Sequence, residues 1–79
     1  MLYKRYIPVV TLIGTKGELR PLFIIWDHGV KFPIDKILEV RNCASLVGGC
    51  GILYRCRIQG KERNLFYEKN RWFIESHQP

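Results

Sequence analysis

Between Ile52 and Glu75 the chain reads as three strand-like runs joined by two short turn candidates, Gly60-Lys61 and Lys69-Asn70. A two-residue hairpin loop fixes the pairing of its flanking strands. With Gly60-Lys61 as a type II′ turn, Gly in the first central position, Ile58 faces Arg63, Cys56 faces Leu65 and Tyr54 faces Tyr67. With Lys69-Asn70 as the next loop, Tyr67 faces Trp72 and Leu65 faces Ile74. Both hairpins put Leu65 and Tyr67 on one face with Tyr54, Cys56, Trp72 and Ile74. A slip of one residue turns every side chain over, so this agreement defines the candidate core. The opposite face carries Leu53, Arg55, Arg57, Asn64, Phe66, Glu68, Arg71, Phe73 and Glu75.

The remaining runs are also strand-like. Tyr6–Ile13 ends at Gly14-Thr15-Lys16-Gly17, and Arg20–Trp26 follows. Asp27-His28-Gly29 reads as a three-residue hairpin loop with Gly in the left-handed position. Val30–Phe32 is short and closed by Pro33, which lacks a ladder donor. Lys36–Arg41 is a further run, although Asp35 could instead cap a single helical turn there. Asn42–Gly49 is the longest irregular stretch. Six short strands with tight connections point to an all-β domain over 1–79, a small antiparallel SH3-like barrel of five to six strands. An OB-type barrel is the alternative; it usually has longer strands and a helix where Pro33–Asn42 offers little room.

Seventy-nine residues fit one domain, and its core must be efficient. Two Trp, four Tyr and four Phe can supply that. Three cysteines, Cys43, Cys50 and Cys56, are an odd number, and the N-terminal run is broken by Pro8, Thr11 and Gly14, unlike a secretory leader. The longest apolar run, near Leu22–Trp26, falls far short of the ~20 residues of a membrane span. A soluble, reducing, cytoplasmic setting is the expectation, with no membrane partner.

Four constellations could carry chemistry. The first is the face opposite the core. Arg55 and Arg57 alternate on one strand, Phe66 lies across from Arg55, and Phe73 lies across from Phe66. Basic side chains interleaved with exposed rings suit nucleic acid: Arg meets phosphate and rings stack on bases. Lys31 and Arg41 would add to it. Alternatively, a loop or terminus covers this face and the two rings form a minor core. The same pair could equally serve a homodimer or another protein partner. The second is the formal net charge of +6, from 13 Lys+Arg against 7 Asp+Glu. It favours polyanions, but the basic residues are spread along the chain and several have acidic neighbours. The third is Val47-Gly48-Gly49-Cys50-Gly51, which could expose N–H groups to an anion. It lacks the Lys-Ser/Thr of a P-loop, and a loop or bulge is the simpler reading.

The fourth is Cys/His chemistry. The cysteine spacing does not match a zinc site, and Cys56 points into the core. His28 sits at a hairpin tip and His77 near the end of the chain, without triad partners. Asp27 and Asp35 flank the third run, but no paired-carboxylate arrangement emerges. No enzyme, metal or cofactor is expected.

The stretch Trp26-Asp27-His28-Gly29-Val30-Lys31-Phe32-Pro33-Ile34-Asp35 resembles a family of small, uncharacterised bacterial proteins with a Trp-x-x-Gly-x-x-aromatic-x-Ile-Asp motif. The likeness continues through Arg41, Ala44-Ser45-Leu46, Gly48-Gly49-Cys50-Gly51, Ile52–Ile58, Leu65-Phe66-Tyr67-Glu68 and Arg71-Trp72-Phe73. The resemblance implies a stand-alone bacterial protein rather than a fragment of a larger enzyme. It implies no activity, and in it the cysteines look like local substitutions. The expectation is therefore a non-enzymatic module binding DNA or RNA through Arg55, Arg57, Phe66, Phe73, Lys31 and Arg41, with a protein-interaction or self-association role for the same face as the alternative.

Overall fold

The three runs from Ile52 to Glu75 form the centre of a five-stranded antiparallel sheet. The computed structural model describes residues 2–44 and 50–77; the side chains of 43, 44 and 50 lie outside that description. The strands are β1 (Tyr3–Tyr6), β2 (Val9–Ile13), β3 (Leu19–Ile25), β4 (Lys31–Pro33), β5 (Lys36–Ala44), β6 (Cys50–Ile58), β7 (Lys61–Glu68) and β8 (Arg71–Ser76). One sheet has the order β1-β8-β7-β6-β5, and a three-stranded sheet has the order β2-β3-β4. All neighbouring strands run antiparallel.

The β6–β7 turn is Gln59-Gly60, one residue earlier than the sequence suggested. Both residues have positive φ, 52° and 75°, which is the type I′ geometry favoured by the right-handed twist of paired strands. Ile58 therefore pairs with Lys61, Cys56 with Arg63 and Tyr54 with Leu65. The register differs from the expected one by two positions. A shift of two keeps side chains on their faces, so the core assignment is unchanged. The β7–β8 turn is Lys69-Asn70, with φ of 50° and 65°, and Tyr67 pairs with Trp72 as expected.

Pro8 divides the first predicted run. The Ile7 N–H donates to Trp72 O, extending the β1–β8 ladder, while Pro8 O accepts from Ile25 N in the other sheet. A second corner lies at Ile34-Asp35. Ile34 N donates to Leu22 O and Asp35 N to Arg57 O, so adjacent residues bond to different sheets. No helical turn follows Asp35; its carboxylate instead accepts from Gly60 N at 3.4 Å. The expected Asp27-His28-Gly29 loop is present, with His28 and Gly29 both at positive φ and Trp26 N donating to Val30 O.

The inner faces of the two sheets share one core. Ile7, Ile24, Tyr54, Cys56, Ile58, Leu65 and Trp72 are buried together, with Val9, Leu19, Trp26, Phe32, Ile34 and Ile74 packed around them. Two polar bridges cross this core. The Tyr54 hydroxyl donates to Leu19 O at 3.0 Å, and the Trp72 indole donates to Thr11 Oγ1 at 3.0 Å. Tyr54 and Trp72 also pack ring to ring, with centroids 5.1 Å apart.

Candidate nucleic-acid interface

The outer face of the five-stranded sheet holds five of the six residues singled out from the sequence, Lys31 being in the other sheet, and two of the five follow the minor-core alternative rather than the stacking surface. Phe66 and Phe73 are 3% and 1% exposed and, with Leu53, form a second small core. Their rings stack at 5.0 Å with an interplanar angle of 11°. Tyr6 packs edge-on against Phe73 at 5.7 Å, and Lys4 Nζ lies 4.7 Å from the Phe73 centroid while pairing with Glu68 at 3.4 Å. Lys4 and Tyr6 come from β1, opposite Glu75 and Phe73. The N-terminal strand thus contributes cover to rings that the hairpin register alone leaves open. These rings offer no surface for stacking on a base. Across from Arg55 stands Asn64; Phe66 faces Leu53.

The basic residues divide into paired and unpaired. Arg55 lies 3.3 Å from Glu39 and 3.5 Å from Glu62, and its Nε is buried without a hydrogen bond. Arg41 lies 3.7 Å from the same Glu39. Lys31 is exposed on β4, opposite Ile25 in the three-stranded sheet, and does not join the others. Arg57 is exposed, and Lys36 stands directly opposite it on β5. The next residues around the β6–β7 hairpin include Lys61 and Arg63, also exposed. Lys36, Arg57, Lys61 and Arg63 have no ion pair among the described residues. The sequence did contain a signal for this end of the sheet: a hairpin through Gly60 brings Arg57, Lys61 and Arg63 to one end, with Arg57, opposite Glu62, on the outer face and Lys61 and Arg63 on the inner one. Lys36 needed the β5–β6 register, which the bulge between Ile37 and Glu39 hides.

Beside these residues the molecule opens. The β7–β8 ladder runs only from Glu68↔Arg71 to Phe66↔Phe73. Beyond it β7 stays with β6 as far as Lys61, while β8 follows β1 as far as Ser76. The divergence leaves a cleft of about 760 Å3. Its floor is apolar, from Ile24, Trp26, Phe32, Ile58, Leu65 and Ile74; its polar margin mixes Arg55, Lys61 and Arg63 with Glu62 and Glu75, beside Asn64 and His77. Arg5 stacks on Trp26 at 4.2 Å and bonds Asp27 at 2.6 Å, which holds the indole in place.

Cys56 is fully buried in the main core, and burial pushes its thiol up to about 11. Burial likewise raises the Tyr54 hydroxyl, with smaller contributions from Tyr67 and Cys56. Among the described residues no group of three His, Cys, Asp or Glu side chains could hold a metal ion. The glycine-rich segment Val47-Gly48-Gly49 lies outside the described residues. No described helix is long and apolar enough to cross a membrane. The chain matches no protein-family model, no curated protein and no solved structure.

Proposed function

We propose that this chain is a non-enzymatic binding module of the SH3-like barrel class that contacts nucleic acid through the basic end of β5, β6 and β7. The barrel reading rests on the two corners. At Ile7-Pro8 the chain leaves β8 for β3, and at Ile34-Asp35 it leaves β3 for β6, so the two sheets continue into one another. The segment that an OB-type barrel would make helical is strand β5.

One observation carries the functional reading: at one end of β5–β7, Lys36 and Arg57 lie on the outer face and Lys61 and Arg63 on the inner face, all four without ion-pair partners among the described residues. Solvated cations held at strand spacing suit successive phosphates of a polyanion. Arg55 is a flanking member, already half-neutralised by Glu39 and Glu62. The test is fluorescence anisotropy with labelled single- and double-stranded oligonucleotides across a salt series. Three to four phosphate contacts on a single strand give a log–log salt slope of about −2 to −3. Arg57→Glu with Arg63→Glu should abolish binding without unfolding the protein. No binding at the lowest salt, or a flat salt response, rejects the reading.

A second reading, self-association, rests on a different surface from the buried Phe66 and Phe73. Val10 and Phe23 are cross-strand partners on the outer side of β2–β3, and both are exposed. Leu12 extends that apolar surface, at 52% exposure. Apolar patches of this kind occur at protein interfaces. Sedimentation at rising concentration tests it: Leu12→Lys should abolish any dimer, and a strict monomer ends this reading.

A further inference from the structure

We propose that the cleft between β7 and β8 seats one unstacked base of a single-stranded nucleic acid. The inference rests on the nucleic-acid reading above and adds to it a recognition site.

The hydrogen-bond pattern of β7 is the first argument. Across a two-residue hairpin loop, the flanking pair exchanges both backbone bonds, and bonded and non-bonded pairs then alternate. Ile58↔Lys61 is the flanking pair here, so Cys56↔Arg63 and Tyr54↔Leu65 are also bonded pairs. Glu62 and Asn64 therefore turn their N–H and C=O groups away from β6. The β8 ladder that would receive them stops at Phe66↔Phe73. Those backbone groups face the opening. A base edge carries matching donors and acceptors, and single strands are read on such edges.

The second argument is the floor. Trp26 and Phe32 place two aromatic rings among the aliphatic side chains of Ile24, Ile58, Leu65 and Ile74. Trp26 is braced by Arg5. A flat ring on an apolar, aromatic floor removes area from water and gains stacking, whichever base it is. A cleft of about 760 Å3 accommodates a base with its sugar; small-ligand sites span roughly 300–1,000 Å3.

The third argument is charge. Lys61 and Arg63 pair across β6 with the core residues Ile58 and Cys56, so they project from the inward face of β7. Inward-facing cations are unusual in a small β domain. Here they reach solvent only because the sheet has parted, and they flank the cleft. A base on the floor puts its phosphates beside them. An acidic peptide added along the β7 edge would also meet these cations, but it would not use the aromatic floor; that floor favours the base.

Trp26 supplies the test, because the other tryptophan, Trp72, is 6% exposed in the core. The full-length protein is titrated with a single-stranded oligonucleotide, the same strand carrying abasic sites, a duplex, and an acidic peptide. Tryptophan quenching is expected with the intact single strand, and the Trp26→Phe variant should lose the quench while keeping the fold. Abasic strands should bind about five- to 150-fold more weakly, the range for loss of one stacked base. Arg63→Gln should weaken intact and abasic strands alike. Equal affinity for intact and abasic strands, with unchanged tryptophan emission, overturns the cleft inference and leaves the basic interface standing. Quenching by the acidic peptide but by no oligonucleotide overturns the cleft inference alone, whereas the absence of all oligonucleotide binding overturns both.

Discussion

The Trp72 indole N–H donates to Thr11 Oγ1 at 3.0 Å, joining a strand of the five-stranded sheet to a strand of the three-stranded one. Trp72 belongs to the main core, so the bond lies where water competes poorly. Thr11→Val keeps the shape and removes the acceptor. A buried donor left unpaired costs about 1–3 kcal/mol. Urea unfolding should show that loss for Thr11→Val and much less for Thr11→Ser. Equal midpoints for wild type and Thr11→Val would show that the bond contributes nothing net.

Phe73 and Phe66 carry a second prediction. Phe73 is stacked on Phe66, edged by Tyr6 and capped by Lys4. Burial this complete makes it a core ring. Phe73→Ala should cost about 3–5 kcal/mol, against a total stability of about 5–15 kcal/mol for a typical domain. Circular dichroism should show a largely unfolded or heat-labile protein, whereas Phe73→Leu stays folded with a lowered midpoint. A stable, native-like Phe73→Ala would return the ring to the surface.

The alternation of Tyr54, Cys56, Leu65, Tyr67, Trp72 and Ile74 made the core face legible without any structure. Parity protects it: the real β6–β7 register differs by two residues, and every one of those side chains still faces inward. The turn type was less legible, because Gln59 adopting positive φ is a choice made by strand twist rather than by its own preference. The fate of Phe66 and Phe73 was not readable from hairpins at all. It depends on β1, whose pairing with β8 joins the two ends of the chain through contacts distant in sequence. The cleft was equally hidden. It arises where β8 stops following β7 and follows β1, and local patterning cannot show where two ladders part. Of the basic site, Arg55 and Arg57 were visible from their alternation. Their neutralisation was not: Glu39 reaches Arg55 only through the β5 bulge.

Gly51 tests how closely β6 and β7 approach. A Cβ added there would lie 2.5 Å from the Tyr67 carbonyl oxygen, which is backbone and cannot swing aside. Gly51→Ala must therefore push the two strands apart near Ile52↔Tyr67. Overpacking of this kind costs about 1–3 kcal/mol. Hydrogen exchange should accelerate locally in Ile52–Tyr54 and Leu65–Tyr67, with less change at the Gln59-Gly60 end. Unchanged exchange would mean that the backbone accommodates the methyl without strain.

Cys56 gives a prediction with a defined pH window. Its thiol is pushed up to about 11 by burial, from an ordinary value of 9.0. The folded state thus disfavours the thiolate. Below the unfolded pKa both states hold the proton, and the full contribution to stability is present. As pH rises through about 9, the unfolded chain loses its proton first, so stability falls, and it continues to fall until the folded thiol also titrates near 11. In a Cys43→Ser, Cys50→Ser background, the urea midpoint should drop across that window. Cys56→Ala should remove the part of the drop that belongs to the thiol, with Tyr54 accounting for some of the remainder at the upper end. In the same background a thiol reagent at pH 8 should label Cys56 only as fast as the protein opens, because the thiolate is the reactive form and the side chain is enclosed. Rapid labelling under native conditions would place Cys56 outside the core and overturn the register that puts it there.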